Sequence, residues 1–406
     1  MRTLIVSAYA CEPLKGSEPA VGWNWVLQLA QRNRVHVITR ANNQNVIEAY
    51  VPQNVAQNLV WHYYDTPYFI KRLKKRDKGL YFYNFCWQIG IVNVARRIAQ
   101  KEHIDYAIHL TFGSIWMPTF LPFLNIPFIW GPMGGGECVP RPFLTILPWK
   151  QRIMQYFRYL LNDTTIINPF IMYPAHRAKA ILLRTPNTQS IIPRFYKGKT
   201  YVLLETAMDD KIFERKKRDY ETDVVKLVIS ARLISIKNIP TAIRSLKFIK
   251  TAKPWQLTII GSGPDLKIIN SEIEHCGYDN VKIIPFMPRE EALDLIQESD
   301  IFVFPSLKEG GTWALMEAMA IGLPVVCVDW AGMAVETDDE SAIKLQVSTP
   351  KQMEKDMGYA LSMLINDTQL RSRLGKAARQ RIRDIFNWGA KGNFMENLFD
   401  RLDGKK

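Results

Sequence analysis

The stretch from Ile301 to Trp330, IFVFPSLKEGGTWALMEAMAIGLPVVCVDW, leaves little choice in how it folds. IFVFPS is a short apolar run stopped by Pro305 and Ser306, the pattern of a buried strand that ends in a loop. Lys308, Glu309, Gly310 and Gly311 form that loop, and a helix apolar nearly all round is predicted over Thr312 to Ile321. Gly322 and Pro324 close it, and VVCV follows as a second buried strand. The result is a βαβ unit whose strand-to-helix turn carries two glycines. Such a turn lets a ligand come close to the N-terminus of a helix.

Glu309 and Glu317 stand eight positions apart in this unit. If most of that spacing is helical, the rise is roughly 12 Å. Carboxylate pairs that hydrolyse a glycosidic bond together sit about 5 to 9.5 Å apart, so these two are expected at opposite ends of a long ligand. A diphosphate between them would lie near the amides of Gly310, Gly311 and Thr312, where the helix dipole favours anions. That describes a nucleotide-sugar.

With FPS before it and EAMAIGLPVV after it, the Glu309-x7-Glu317 pair resembles the signature of the family 4 retaining glycosyltransferases. The bland alternative is a buried helix carrying two incidental glutamates, against which stands the cost of burying carboxylates without partners. The resemblance implies an α/β protein of GT-B fold, with two doubly wound Rossmann-like domains facing across a cleft. It would divide the chain into an acceptor domain (1–203), a nucleotide-sugar domain (204–380) and a C-terminal helix (381–406) crossing back to the first domain. Glu317 would then hold the ribose hydroxyls and Glu309 a hydroxyl of the transferred hexosyl group.

The C-terminal half carries further parts of this pattern. After a predicted strand over Val225 to Ser230 comes Ala231-Arg232-Leu233-Ile234-Ser235-Ile236-Lys237-Asn238. The family places an Arg and a Lys of such a loop on the donor diphosphate, and Arg232 and Lys237 hold those positions. Ser230-Ala231 and Asn238 depart from the family's glycines. Two fixed cations stabilise the charge that grows on a departing β-phosphate without needing a metal. Gly261 and Gly263 end the strand of WQLTIIGSG, and Leu266 stands where a dinucleotide fingerprint needs its third glycine. They are read as turn-makers near the donor. Phe286 and Met287 follow the next strand, where the family contacts the nucleobase largely through backbone. REEALDLIQESD reads as an amphipathic helix, and Ala331-Gly332-Met333 with Glu336 as a further turn.

In the N-terminal half, Arg2 to Ala8 and Arg34 to Thr39 read as strands around a helix, the start of a doubly wound domain. Gly16 lies in the loop between, where the family has a glycine-bearing loop near the donor phosphates; a plain solvent turn is the alternative. His109 ends the strand DYAIHL and is a candidate for the cleft or a hydrogen-bonded core residue. Residues 110–137 carry no charge before Glu137, but Pro118, Pro122, Pro127 and Pro132 argue against a membrane span. After the strand Phe128-Ile129-Trp130, the run through Gly134, Gly135, Gly136 and Glu137 offers backbone and one carboxylate to an acceptor. Many relatives carry a histidine just after this strand; Trp130-Gly131 stands there, so that role does not transfer.

Charge separates the two halves. The chain of 406 residues has net charge +14. Residues 1–200 hold 24 Lys and Arg against 9 Asp and Glu, whereas residues 201–406 hold 29 against 30. Lys71, Arg72, Lys74, Lys75, Arg76 and Lys78 precede the aromatic run LYFYNFCWQIGIVNVA, and a second such patch runs from Trp149 to Leu160. Basic segments beside aromatic surface suit an anionic membrane; the alternative is a solvated turn followed by a core helix. No nucleic-acid module is visible. Five unpaired cysteines and six histidines form no metal motif, and Met1 leads directly into a strand pattern, so a cytoplasmic protein on the inner face of the membrane is expected.

The expected reaction moves a hexosyl group from a UDP- or GDP-sugar to a glycan or lipid-linked hydroxyl of a bacterial surface polymer. No cofactor or metal is called for. Rival readings are a sugar-nucleotide epimerase or phosphorylase on the same fold, and a non-catalytic membrane- or polyanion-binding protein.

Overall fold

A computed structural model describes residues 1–73, 79–217 and 220–405. The chain divides into two compact units. The first comprises Met1–Gly136, Leu161–Glu205 and Trp388–Lys406, and the second Glu137–Leu160 and Thr206–Asn387.

The first unit is built on a parallel sheet of seven strands in the order β3-β2-β1-β4-β5-β6-β7. These are β1 (Thr3–Ser7), β2 (Arg34–Arg40), β3 (Leu59–Tyr64), β4 (Tyr106–His109), β5 (Phe128–Met133), β6 (Ala178–Leu183) and β7 (Thr200–Val202). β1, β4 and β5 are buried along almost their whole length, which is why they read as unbroken apolar runs. The Leu80–Ala99 helix covers one face, sending Tyr83, Trp87, Ile91 and Ala95 into a core shared with Ile5, Phe128 and Trp130. Its aromatic run is therefore chiefly core, although Tyr81 and Phe82 at its start are exposed. Lys74, Lys75, Arg76 and Lys78 of the basic segment lie outside the described residues. No helix among the described residues is long and apolar enough to cross a membrane.

The Trp388–Leu402 helix belongs to this unit. Trp388 meets Trp25 edge to face at 6.4 Å, and Arg2 is held by Glu396 and Asp403 of the helix and the turn that follows.

The second unit is a parallel sheet of six strands in the order β10-β9-β8-β11-β12-β13. Its strands are β8 (Val225–Ser230), β9 (Trp255–Ile260), β10 (Val281–Ile284), β11 (Ile301–Phe304), β12 (Val325–Val328) and β13 (Ala342–Leu345). Strand order reverses at β8, flanked by β9 and β11, so the loops leaving β8 and β11 form the crevice where ligands of such sheets bind. The Trp313–Ile321 helix follows β11 and is buried from Leu315 to Ile321. Gly322 ends it in the left-handed conformation (φ 104°). Fully buried Arg371 donates to the carbonyls of Leu364 and Ile365, satisfying the C-terminus of the Pro350–Asn366 helix.

Candidate functional site

Two loops meet at the switch point of the second sheet. One leaves β8 and runs from Ala231 to Asn238; the other leaves β11 and runs from Pro305 to Thr312. The Leu307 amide donates to the Ile236 carbonyl at 2.9 Å, stitching them together. Lys237 closes a short 3-10 turn and Asn238 follows with φ 55°. Asparagine is one of the few residues with a side chain that tolerate this left-handed conformation. That is why it can stand where the family has glycine. Thr241 Oγ1 anchors the Asn238 side chain at 2.6 Å.

This stitching brings together two predicted residues. Lys237 Nζ forms an ion pair with Glu309, and the Ser306 hydroxyl donates to the same carboxylate oxygen, Oε1. Lys237 Nζ also lies 5.4 Å from the centre of the Phe304 ring. The sequence reading gave Lys237 and Glu309 to different parts of a ligand, and Ser306 only to the end of a strand. Here they form one connected group. Arg232 sits in the same loop with its side chain exposed and without a hydrogen-bond or ion-pair partner among the described residues. Beside Glu309, burial pushes the Lys308 ammonium down to about 8; Arg158 adds to this, and Glu137 and Glu309 oppose it.

The N-terminus of the Trp313–Ile321 helix differs from the expectation in two ways. The helix starts at Trp313, so only the last part of the Glu309-to-Glu317 spacing is helical and the 12 Å rise does not apply. The dipole also already faces an anion. Fully buried Glu336 accepts from both the amide and the hydroxyl of Thr312. Thr312 is thus a capped residue rather than an open donor. The Gly310 and Gly311 amides make no hydrogen bond among the described residues. Packing at the glycines is tight: a Cβ on Gly311 would stand 1.9 Å from Thr206 Oγ1, and one on Gly332 would stand 1.5 Å from the Gly310 oxygen.

Glu317, one turn into the helix, is almost sealed from solvent and has one cationic partner. Arg289 begins the Arg289–Glu298 helix and reaches Glu317 Oε1 with both Nε (2.9 Å) and Nη2 (2.6 Å). Burial pushes the Glu317 carboxyl above its ordinary range, Glu290 pushes the same way, and Arg289 opposes both. Arg289 was legible only as the start of an amphipathic helix, because its partner lies 28 residues on. Glu336, 24 residues from Thr312, was hidden for the same reason. Phe286 is 78% exposed and Met287 half-buried at the end of β10. Gly261 (φ 153°) and Gly263 lie against the Ala231 and Leu233 carbonyls, where a Cβ would approach to 1.8 and 2.2 Å. Their lack of side chains lets the loop carrying Arg232 and Lys237 settle on β9.

Of the remaining candidates, Glu137 lies in the second unit, where its charge acts on Lys308, and the others lie in the first. Gly16 precedes the Ser17–Ala30 helix in the first unit, with ordinary extended backbone and open space where a Cβ would go. His109 is fully buried at the end of β4, and burial lowers it to about 4. Gly134 spends its amide on the Gly113 carbonyl and its carbonyl on the Ile115 amide, an isolated bridge to Ser114 that leaves no open backbone surface there. The Gly135 carbonyl accepts from Trp116 Nε1 at 3.1 Å. Glu137 is buried and belongs to the second unit.

Residues 210–381 match the model of the family described as glycosyl transferases group 1. An amylovoran biosynthesis glycosyltransferase (AmsK) of Erwinia amylovora is 37% identical over 134 residues, covering 30% of this chain and 32% of that protein. The chain spans about a third to a half of the length of the first curated relatives it matches. Among solved structures, a sucrose-phosphate synthase from Thermosynechococcus elongatus superposes with TM-score 0.64 at 16% identity, over 100% of both chains. HepE of Anabaena in complex with UDP gives TM-score 0.62 at 12% identity, over 99% of this chain and 100% of that one. The two parallel α/β sheets thus have the GT-B fold.

Proposed function

Residues 210–381 belong to the glycosyl transferases group 1 family, and from that premise we propose that the protein is a retaining glycosyltransferase. It moves a hexosyl group from a UDP- or GDP-sugar to a hydroxyl of a glycan or lipid-linked acceptor. The observation that carries this reading is the group at the switch point of the second sheet, where Lys237, Ser306 and Glu309 are held together beside two unspent glycine amides.

In this reading the donor diphosphate lies over Gly310 and Gly311, and Lys237 and Arg232 neutralise its charge. Arg232, exposed and unpaired among the described residues, is available to close on the phosphate. Charge grows on the β-phosphate as the sugar–phosphate bond breaks. Cations fixed there stabilise the transition state more than the ground state, so no metal is required. Glu309 presents Oε2 to a hydroxyl of the sugar, since Oε1 is occupied by Lys237 and Ser306. Glu317 holds the ribose diol. The departing β-phosphate oxygen takes the acceptor's proton. Glu137, Gly134, Gly135 and His109 have weaker claims to the acceptor side, and the burial of His109 suits a structural role.

The acceptor belongs to a bacterial surface polymer, a reading supported by the relative named for amylovoran biosynthesis. Peripheral contact with an anionic membrane from the cytoplasmic side fits the basic N-terminal half. It also fits the exposed Trp149, Ile153 and Phe157, which share a helix with Lys150, Arg152 and Arg158.

Incubation with radiolabelled UDP- and GDP-sugars and an acceptor lipid extract tests this reading. Label is expected in an acceptor-linked product with retained anomeric configuration. Free sugar, an isomerised donor or no product at all would contradict it.

A further inference from the structure

We propose that Arg289 is a positioning residue for nucleotide binding, fixing the Glu317 carboxylate so that its second oxygen faces a ribose diol. The inference rests on the donor reading given above and concerns how one part of that site is set. Both guanidinium contacts land on Oε1. Oε2 accepts no hydrogen bond among the described residues, which leaves its lone pairs for a ligand. A carboxylate held through one oxygen has lost most of its rotational freedom, so a diol meets it already aimed.

The surroundings explain why a cation is required there. The Glu317 side chain is 10% exposed and lies on a helix that is otherwise apolar on every face. A carboxylate so placed is neutral unless a charge opposes its burial. The charged groups acting on it are Arg289, which favours the ionised form, and Glu290, which disfavours it, both from the neighbouring helix. The Thr368–Ile385 helix, which also packs on this element, turns its Arg379 onto the backbone carbonyls of Phe213 and Ala320. No other cation forms an ion pair with Glu317 among the described residues. Arg289 is itself 60% exposed and among the described residues makes one other ion pair, to Glu290 at 3.3 Å. It contributes little to packing, so its replacement leaves the fold intact.

Titration calorimetry with UDP and with 2′,3′-dideoxy-UDP at pH 6.0, 7.0 and 8.5 tests the assignment on the wild type, Arg289→Ala and Arg289→Lys, with GDP and its dideoxy form as the parallel pair. The wild type is expected to prefer the nucleotide with an intact diol. Arg289→Ala should lose about tenfold in affinity for it at pH 7 and almost nothing for the dideoxy form. Relative to wild type, the loss should deepen at pH 6.0 and shrink at pH 8.5, because a Glu317 without its cation ionises only at higher pH. Arg289→Lys should restore most of the affinity and flatten the profile. Equal loss for both nucleotides, or a variant-to-wild-type ratio that does not change with pH, would overturn the assignment while leaving the donor reading in place. Failure of the wild type to bind either nucleotide would overturn both.

Discussion

The two units have similar sheets and handle their polar residues in opposite ways. In the second, polar side chains at the switch point are paired through one atom and open at another: Glu309 and Glu317 each use Oε1 and leave Oε2. In the first, two of the predicted candidates near the strand ends are closed off: Gly134 is bonded on both sides and His109 is fully enclosed. A polar group half-satisfied by protein keeps lone pairs for a ligand, whereas one that is fully bonded or fully enclosed does not offer them. The donor reading proposed above rests on this difference.

The largest effect that could break this contrast is on turnover. Lys237→Ala and Glu309→Ala should each lower the rate of sugar transfer by about 100-fold or more, a larger effect than the fall in thermal midpoint that follows from leaving one partner of a largely buried pair alone. His109→Gln, in the first unit, should do the reverse, lowering the midpoint more than the rate. Comparable rate losses from all three would erase the distinction.

Next in size is the close packing behind the donor loop. Gly311→Ala places a methyl group 1.9 Å from Thr206 Oγ1. It should weaken UDP or GDP binding about tenfold or more, since the amide it carries must move. Combining it with Thr206→Ala should recover part of that loss in calorimetric titration. Gly16→Ala, with nothing within 4 Å of the added carbon, should leave binding unchanged. Sensitivity at Gly16 would mean that the first unit also approaches the donor.

Acid should separate the units by stability. Burial lowers His62 and His109 to about 4 and lowers His36, which pairs with His62 at 2.9 Å. A base whose folded pKa is depressed binds fewer protons when folded. Its stabilisation is therefore complete above about pH 6.5 and lost as pH falls toward 4, at about 1.4 kcal/mol per pH unit for each group that titrates. Glu317 in the second unit has the opposite sign, because its raised pKa lets the folded state bind a proton first. Scanning calorimetry from pH 7 to 4.5 should move a transition of the first unit downward and leave one of the second nearly fixed. Equal shifts would contradict the assignment of these groups.

The smallest expected effect is at the cap. Glu336→Gln keeps an acceptor for Thr312 but removes the charge facing the helix dipole, costing about 1 kcal/mol in denaturant unfolding.

These differences also explain what was legible in the sequence. β8, β9, β11 and β12 are buried runs bounded by turn residues, and their ends were readable almost to the residue. β3 escaped because LVWHYY is half-buried beyond its first position and carries no clean alternation. β6 and β13 were not read, and each carries a lysine within its apolar run, Lys179 and Lys344. Among the candidates, Glu309, Glu317, Arg232 and Lys237 were singled out because they stand at positions of a family motif, each lying within one loop or helix. Ser306, Arg289 and Glu336 were not read as site residues. For Arg289 and Glu336 the role comes from a partner brought near only by folding, which no local period encodes. The predicted helix start at Thr312 is off by one residue, and the carboxylate of Glu336 at the end of the Ala331–Glu336 helix bonds Thr312 where a ligand was expected.

The central claim is that a nucleoside diphosphate rests against Lys237 and the Gly310 and Gly311 amides in the second unit. Calorimetric titration of UDP, GDP and ADP into the wild type and Lys237→Ala measures it most directly. One nucleotide should bind the wild type and lose about tenfold or more in affinity to the variant. Binding that is undiminished in Lys237→Ala, or absent for all three in the wild type, would contradict it.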